Sequence, residues 1–159
     1  MNYERFFLTK GSAVCKISQL NAFDKALLKA GVCQCNLVPV SSIIAPGSTE
    51  VSFTKIPAGS ITHCVLASIE GCVGSIASAG VGLAVLTEDG VERYGIVAED
   101  TGYFEEDACR ENLSRKLSEM ADARSLTIIE DSIQTRITSV SETPEGCFSH
   151  AIAALVYVE

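Results

Sequence analysis

The sequence predicts an α+β fold, an αββα-type layered sandwich with mainly antiparallel sheets and two principal helices. Three observations lead there. Two stretches repeat apolar residues at helical spacing. The other apolar runs are β-like and are separated by Gly, Pro or Glu-Asp-Gly turns. The segments follow the order strand, helix, several strands, helix, two strands. Helices and sheets of this kind bury their apolar faces most simply as stacked layers.

The opening segment "YERFFLT", residues 3–9, is rich in aromatic and β-favouring residues and reads as a strand. "SQLNAFDKALLKAGV" is the first helix. Ser18 suits its N-cap, Leu20, Phe23, Leu27 and Ala30 recur at helical spacing, and Gly31 suits its C-cap. "CNLVPVSSIIAPG", residues 35–47, follows as an apolar strand. Pro39 restricts it to an edge or irregular position, because proline cannot donate to a ladder. Segments 60–69, 74–87 and 90–99 read as further strands. The second helix is "FEEDACRENLSRKLSEMADARS", with Ala108, Leu113, Leu117 and Met120 on its buried side. Glu105, Glu106 and Asp107 in its first turn complement the helix dipole. Segments 125–141 and 146–158 close the chain as long strands. No repeat, linker or low-complexity tract divides residues 1–159, which are expected to form a single domain. That length buries a core without disulfide or metal staples.

Ser41 and Ser42 stand out from this pattern. Two hydroxyls in the middle of an apolar run give up burial and demand hydrogen-bond partners, so packing explains them poorly. Composition narrows the possible functions. Hydrophobic residues make up 47% and charged residues 20% of the chain, which is ordinary for a globular protein and not for a disordered one. The net charge of −8, with only 12 Lys and Arg, argues against nucleic acid as a partner and weakly favours a cationic small molecule. The N-terminus has no long apolar signal region, and the longest apolar stretches, near 76–86 and 151–158, fall short of the roughly 20 residues that span a bilayer. A cytoplasmic protein with no membrane partner is therefore expected.

Seven cysteines, an odd number without Cys-x-x-Cys spacing, read as reduced and mostly buried thiols. Cys33 and Cys35 could form half of a metal site, but His63 and His150 lack ligand spacing, so no metal is expected. Both histidines read as structural. "GVGLAV", residues 80–85, is a lone Gly-x-Gly within a strand and signals close backbone packing rather than a dinucleotide loop. Among the carboxylates, Asp24 borders the buried face of the first helix and is either a surface charge or a site residue. Glu99 ends an apolar strand. It serves either turn chemistry or, if half-buried, general acid catalysis.

"LNAFDKALLKAG" followed by "NLVPVSSIIAPG" resembles the pyruvoyl-dependent arginine decarboxylases, with further likeness at "IPAGSI", "GIVAE" and "GCFSHAIAALVYVE". The resemblance covers nearly the whole chain and is most specific between Leu20 and Gly47. It implies that the precursor cleaves itself between Ser41 and Ser42, giving a β chain of residues 1–41 and an α chain of residues 42–159. In that reaction Ser42 attacks the Ser41 carbonyl, the resulting ester breaks by β-elimination, and residue 42 becomes a covalent pyruvoyl group. Asn36 is implied in processing through the developing oxyanion. The pyruvoyl group is implied to form a Schiff base with L-arginine or a related cationic amino acid, releasing CO2 and agmatine.

The same resemblance assigns Glu99 as the proton donor, Asp24 as the guanidinium-binding carboxylate, and Leu20 and Leu27 as the pocket wall. It also implies a homotrimer with sites between subunits, serving polyamine biosynthesis or acid resistance. The chain departs from the family at Ala45-Pro46, where a double proline is common, at Gly74-Ser75, and at Cys33 and Cys35. Cys33 and Cys35 bear on substrate identity more than on self-cleavage. Two other readings stay open: a same-fold decarboxylase acting on another amino acid, and an uncleaved, non-catalytic trimeric binding protein.

Overall fold

Ten strands and two helices make up residues 3–159, the part of the chain described by a computed structural model. In chain order they are β1 (Arg5–Cys15), α1 (Gln19–Ala30), β2 (Asn36–Pro39), β3 (Ile43–Ile44), β4 (Thr49–Glu50), β5 (Ile61–Glu70), β6 (Ala77–Glu88), β7 (Val91–Gly102), α2 (Glu106–Asp122), β8 (Thr127–Ile128), β9 (Gln134–Val140) and β10 (Phe148–Val158). One sheet has the order β2-β5-β10-β1-β4. The other has β3-β7-β6, with β8 and β9 both paired to β6. Pairing is antiparallel except for β1 with β4 and β2 with β5. The α+β sandwich expected from the sequence is therefore present. The two sheets face each other, α1 covers the outer face of the first and α2 that of the second.

Three apolar layers follow from this stacking. Val65, Val81, Val97 and Leu155 lie between the sheets; Phe7, Ala26, Ile152 and Val156 lie under α1; Leu86, Ile96, Leu113 and Leu117 lie under α2. Strand β10 shows the consequence for sequence. It is covered on both faces, so it reads as a nearly continuous small and apolar run without alternation. Each fully buried leucine of α2 contributes about 1.5–3 kcal/mol.

The caps of α1 form as expected. The Asn21 N–H donates to Ser18 Oγ at 3.1 Å, and Gly31 closes the helix at φ 78°. Its buried face differs from the expected one. Ala22, Ala26 and Ala30 are buried, whereas Leu20 is 74% exposed and Phe23 and Leu27 are only partly covered. The cause is close approach to β1: a methyl group at Gly11 would sit 2.1 Å from the Ala26 carbonyl oxygen. Only alanines fit the helix side of that contact. Gly11→Ala is expected to destabilise the fold by about 3 kcal/mol through overpacking against backbone, read as a lowered urea midpoint.

Helix α2 begins at Glu106, with Glu105 as its N-cap, and buries Cys109, Leu113, Leu117 and Ala121. Ala108 and Met120, expected in that stripe, are half-buried beside it. Gly80 and Gly82 lie beneath this helix, where Gly80 has no room for a side chain against Cys109 and Leu113. The Gly-x-Gly is thus a packing feature, as its setting within a strand predicts.

Four strand assignments change. The expected strand 90–99 runs on to Gly102, so Glu99 lies within β7 rather than at its end. β1 runs on to Cys15, because all eleven of its residues pair with β10. The expected strand 125–141 divides into β8 and β9 around a 3-10 turn at Glu130–Ser132. In that gap the Ser132 hydroxyl accepts from the Val85 N–H at 2.8 Å, replacing the ladder bond that the turn removes. Residues 35–47 do not make one strand. They make β2 on the edge of the first sheet and β3 on the edge of the second. Pro39 closes β2 on that edge.

Candidate active site

The serine pair lies where the chain leaves one sheet for the other. The Val40 N–H bonds the Cys64 carbonyl in the first sheet, and the Val97 N–H bonds the Ser42 carbonyl in the second, each at 2.9 Å. Between these anchors the Ile43 N–H donates back to the Ser41 carbonyl at 3.1 Å, a three-residue γ-type turn centred on Ser42. The Ser41–Ser42 peptide therefore bridges two ladders and belongs to neither. Just beyond it, the Tyr157 hydroxyl donates to the Ile43 carbonyl at 2.9 Å, and Tyr3 stacks on Tyr157.

This position corrects the puzzle the sequence poses. Ser41 is exposed and Ser42 half-buried, so the hydroxyls do not carry the penalty of a buried strand. Two clefts flank the crossover. Ser41 opens onto one of about 610 Å³ that also presents His63, Arg93, Tyr94 and Tyr157. Ser42 opens onto another of about 700 Å³, which presents Glu99, Asp100, Asn112 and Lys116.

Glu99 comes two residues after Val97 on β7, so its side chain leaves the same face of the strand. It borders Leu66, Ala67 and Ser68 of the opposite sheet. Desolvation there raises its carboxyl above the usual range, and the Lys116 charge opposes that rise. Burial pushes the Cys64 thiol up to about 12, with Cys35 and Glu99 adding to the effect. Cys64 is thus a protonated core residue rather than a nucleophile at neutral pH.

The remaining expected site residues lie elsewhere in the protomer. Leu20 and Asp24 are exposed on α1, Leu27 is half-buried beneath it, and Asn36 is exposed at the start of β2. The Asn36 amide donates to the Gly59 carbonyl at 3.1 Å. Its five-residue separation from Ser41 corresponds to roughly 16 Å of extended chain. Among the described residues, none of these four lines either cleft at the serine pair.

His150 is buried, with Gln19 Nε2 at 2.9 Å from Nδ1 and Ser68 Oγ at 2.7 Å from Nε2, a satisfied structural role. His63 bonds the Tyr3 hydroxyl through Nδ1. Cys15, Cys64 and Cys109 are buried, Cys33, Cys35 and Cys147 are half-buried, and Cys72 is exposed; all are free thiols. Among the described residues no cluster of His, Cys, Asp or Glu is placed to hold a metal ion. No helix there is long and apolar enough to cross a membrane.

Sequence reasoning overlooked Lys116 and gave no role to Asp100. Lys116 Nζ donates to the Glu99 carbonyl at 2.7 Å and to Asp100 Oδ1 at 2.6 Å. The available signal was helical spacing: Asn112 and Lys116, four apart, share a face beside the buried Leu113–Leu117 stripe.

A sandwich whose chain crosses between sheets at a serine pair, with a carboxyl in the adjoining cleft, points to an α+β enzyme organised around one sheet edge. Comparison with known proteins identifies which. Residues 5–159 match the family described as "Pyruvoyl-dependent arginine decarboxylase (PvlArgDC)". The chain is 32% identical over 162 residues to the pyruvoyl-dependent arginine decarboxylase of Methanopyrus kandleri, covering 97% of this chain and 96% of that one. It is 32% identical over 145 residues to the protein of the same name from Methanothermobacter thermautotrophicus, covering 89% of each. It is also 34% identical over 145 residues to pyruvoyl-dependent arginine decarboxylase 2 of Archaeoglobus fulgidus, covering 88% of this chain and 87% of that one. The chain belongs to the pyruvoyl-dependent arginine decarboxylase family and is a decarboxylase of that class.

Proposed function

We propose that this protein cleaves itself between Ser41 and Ser42 and then converts L-arginine to agmatine and CO2. The observation that carries the reading is the Ser41–Ser42 bond, held at both ends by different sheets and open to a cleft that contains Glu99. In the first step Ser42 Oγ attacks the Ser41 carbonyl carbon, and the Ile43 N–H stands at the oxygen that gains charge. The peptide bond becomes an ester. Loss of the Ser42 Cα proton then expels the Ser41 carboxylate and leaves dehydroalanine, which water converts to a pyruvoyl group and ammonia. The products are residues 1–41, of which the first two lie outside the described residues, and residues 42–159.

The residues present fit such a group. The Val97 N–H keeps the residue 42 carbonyl on the edge of β7 after cleavage, and the new terminus faces the Glu99 cleft. When formed, the group supplies a carbonyl that condenses with the substrate amine and takes up the electron pair left by CO2. Glu99 then delivers a proton to the substrate α-carbon, a task favoured by the raised pKa of its carboxyl.

Asp24 binds the substrate guanidinium as a bidentate charge-assisted pair, and Leu20 and Leu27 flank its alkyl chain. Asn36 assists processing. In this reading some of these residues reach the serine pair from a neighbouring copy in a homotrimer. The outward-facing position of Leu20 and Asp24 supports that arrangement, and Ile17, Leu20 and Leu28 form an exposed apolar group around the same helix. The protein acts in the cytoplasm, in polyamine synthesis or acid resistance.

The test is intact mass under denaturing conditions, followed by CO2 release from a panel of amino acids. Two fragments and release from L-arginine are expected. A lasting 16.8 kDa chain would instead favour an uncleaved binding protein. Release from a different amino acid alone would make this a decarboxylase of other specificity.

A further inference from the structure

Strand β3 covers β7 only at Gly95 and Ile96, and the pairing ends with the Val97–Ser42 bond. Beyond that point β7 is an open edge as far as Gly102. Peptide groups alternate along a strand, so the Glu99 carbonyl faces this edge as Val97 does. It is met there by Lys116 from α2. The same ammonium holds Asp100, whose side chain is 9% exposed, and Asp100 Oδ2 accepts from Asn112 Nδ2 at 3.0 Å. Arg115 in turn donates to Asn112 Oδ1 at 2.6 Å. A chain of charge-assisted bonds thus ties the middle of α2 to β7 at Glu99.

We infer that Lys116, braced by Asp100, is a positioning residue for proton delivery by Glu99. It fixes the Glu99 backbone at an unpaired sheet edge and sets the charge that the Glu99 carboxyl meets. The inference rests on reading Glu99 as the proton donor. Two observations support it. Lys116 lines both the cleft that Glu99 shares with Ser42 and the smaller one it shares with Leu66, Ala67 and Ser68. Lys116 is the cation that opposes the desolvation of Glu99. The other charged or titratable groups around Glu99 are Arg115 and Glu119 on α2, Asp100 on its own strand and Cys64 on β5. Its partner on β6 is the apolar Val81. Loss of the lysine removes the positive charge that faces Glu99 and leaves Asp100 without its cation.

The experiment follows the Glu99 carboxyl directly. Full-length Ser42→Ala chain, labelled with carboxyl-13C glutamate, is titrated by NMR, and the Glu99 signal is assigned by its loss in Glu99→Gln. Adding Lys116→Met is expected to raise the Glu99 midpoint by about one pH unit. Lys116→Arg, which keeps charge and two donors, is expected to bring it back to within a few tenths of a unit of the parent. Lys116→Gln keeps an N–H donor without charge and repeats the charge test should the methionine variant fail to fold. In cleaved enzyme, Lys116→Gln is expected to lower kcat about tenfold with KM within about twofold and to move the alkaline limb of kcat upward.

An unmoved midpoint in both uncharged variants, or an arginine variant shifted as far as they are, overturns the inference. With an active wild-type enzyme that result leaves the proposed reaction standing. A wild-type protein that releases no CO2 from any amino acid overturns the reaction and the inference together.

Discussion

Ser42→Ala is expected to leave a single 16.8 kDa chain after incubation that divides the wild-type protein into two fragments. Alanine keeps the backbone bond from Val97 to the residue 42 carbonyl and removes only the hydroxyl, so the fold should melt as the wild type does. Without that oxygen there is nothing beside the Ser41 carbonyl to convert the amide to an ester. The loss should therefore be complete rather than partial. Decarboxylation should vanish with it, since residue 42 is the proposed source of the reactive carbonyl. Denaturing mass spectrometry reads the first effect and CO2 release the second. Cleavage that persists at the same bond would remove Ser42 from the nucleophile's role.

Glu99→Gln separates the two chemistries. Cleavage should proceed, because the attacking hydroxyl and the Ser41 carbonyl are untouched. Turnover should fall by a factor of roughly 10²–10⁴, the scale of general acid catalysis. Glu99 acts as an acid, so wild-type kcat should be sustained while the carboxyl is protonated and should fall as pH rises through its raised pKa. That limb should be absent from whatever activity the variant retains. The stability effect has a distinct sign. A carboxyl whose folded pKa is raised favours the native state below its unfolded value, and that contribution is lost as pH rises through the folded one. Glutamine removes this loss, so the variant should melt no lower than wild type at pH 8. A cleaved variant with undiminished turnover would show that the donor is another group.

Much of the architecture is legible in single residues. Ser18 and Gly31 bound α1 because capping chemistry is local: a hydroxyl for an unpaired N–H, and a left-handed residue that only glycine adopts cheaply. Pro39 places β2 on an edge because a missing donor is a property of the residue itself. The apolar run of residues 148–158 marks a strand covered on both faces. Other features depend on contacts that spacing does not encode. Leucine spacing in α1 suggests a stripe through Leu20, whereas the helix buries alanines because Gly11 on another strand draws the two backbones together. The break between β8 and β9 likewise depends on Ser132 reaching Val85, 47 residues away in sequence.

By itself the sequence determined the layered α+β class, the ends of α1, the family and the unusual pair at Ser41 and Ser42. These rest on local propensity, on periodicity and on residue identity along the chain. Only the tertiary structure decided that the pair spans two sheets, that Glu99 shares its cleft, and that Lys116 and Asp100 hold the strand edge beside it. Those relations join residues from the crossover before β3, from β7 and from α2, which the sequence separates by up to about 75 positions. The separation of Asp24 and Asn36 from the serine pair within one protomer is likewise a matter of layer order: α1 lies on the outer face of one sheet, while the Glu99 cleft opens at the edge of the other.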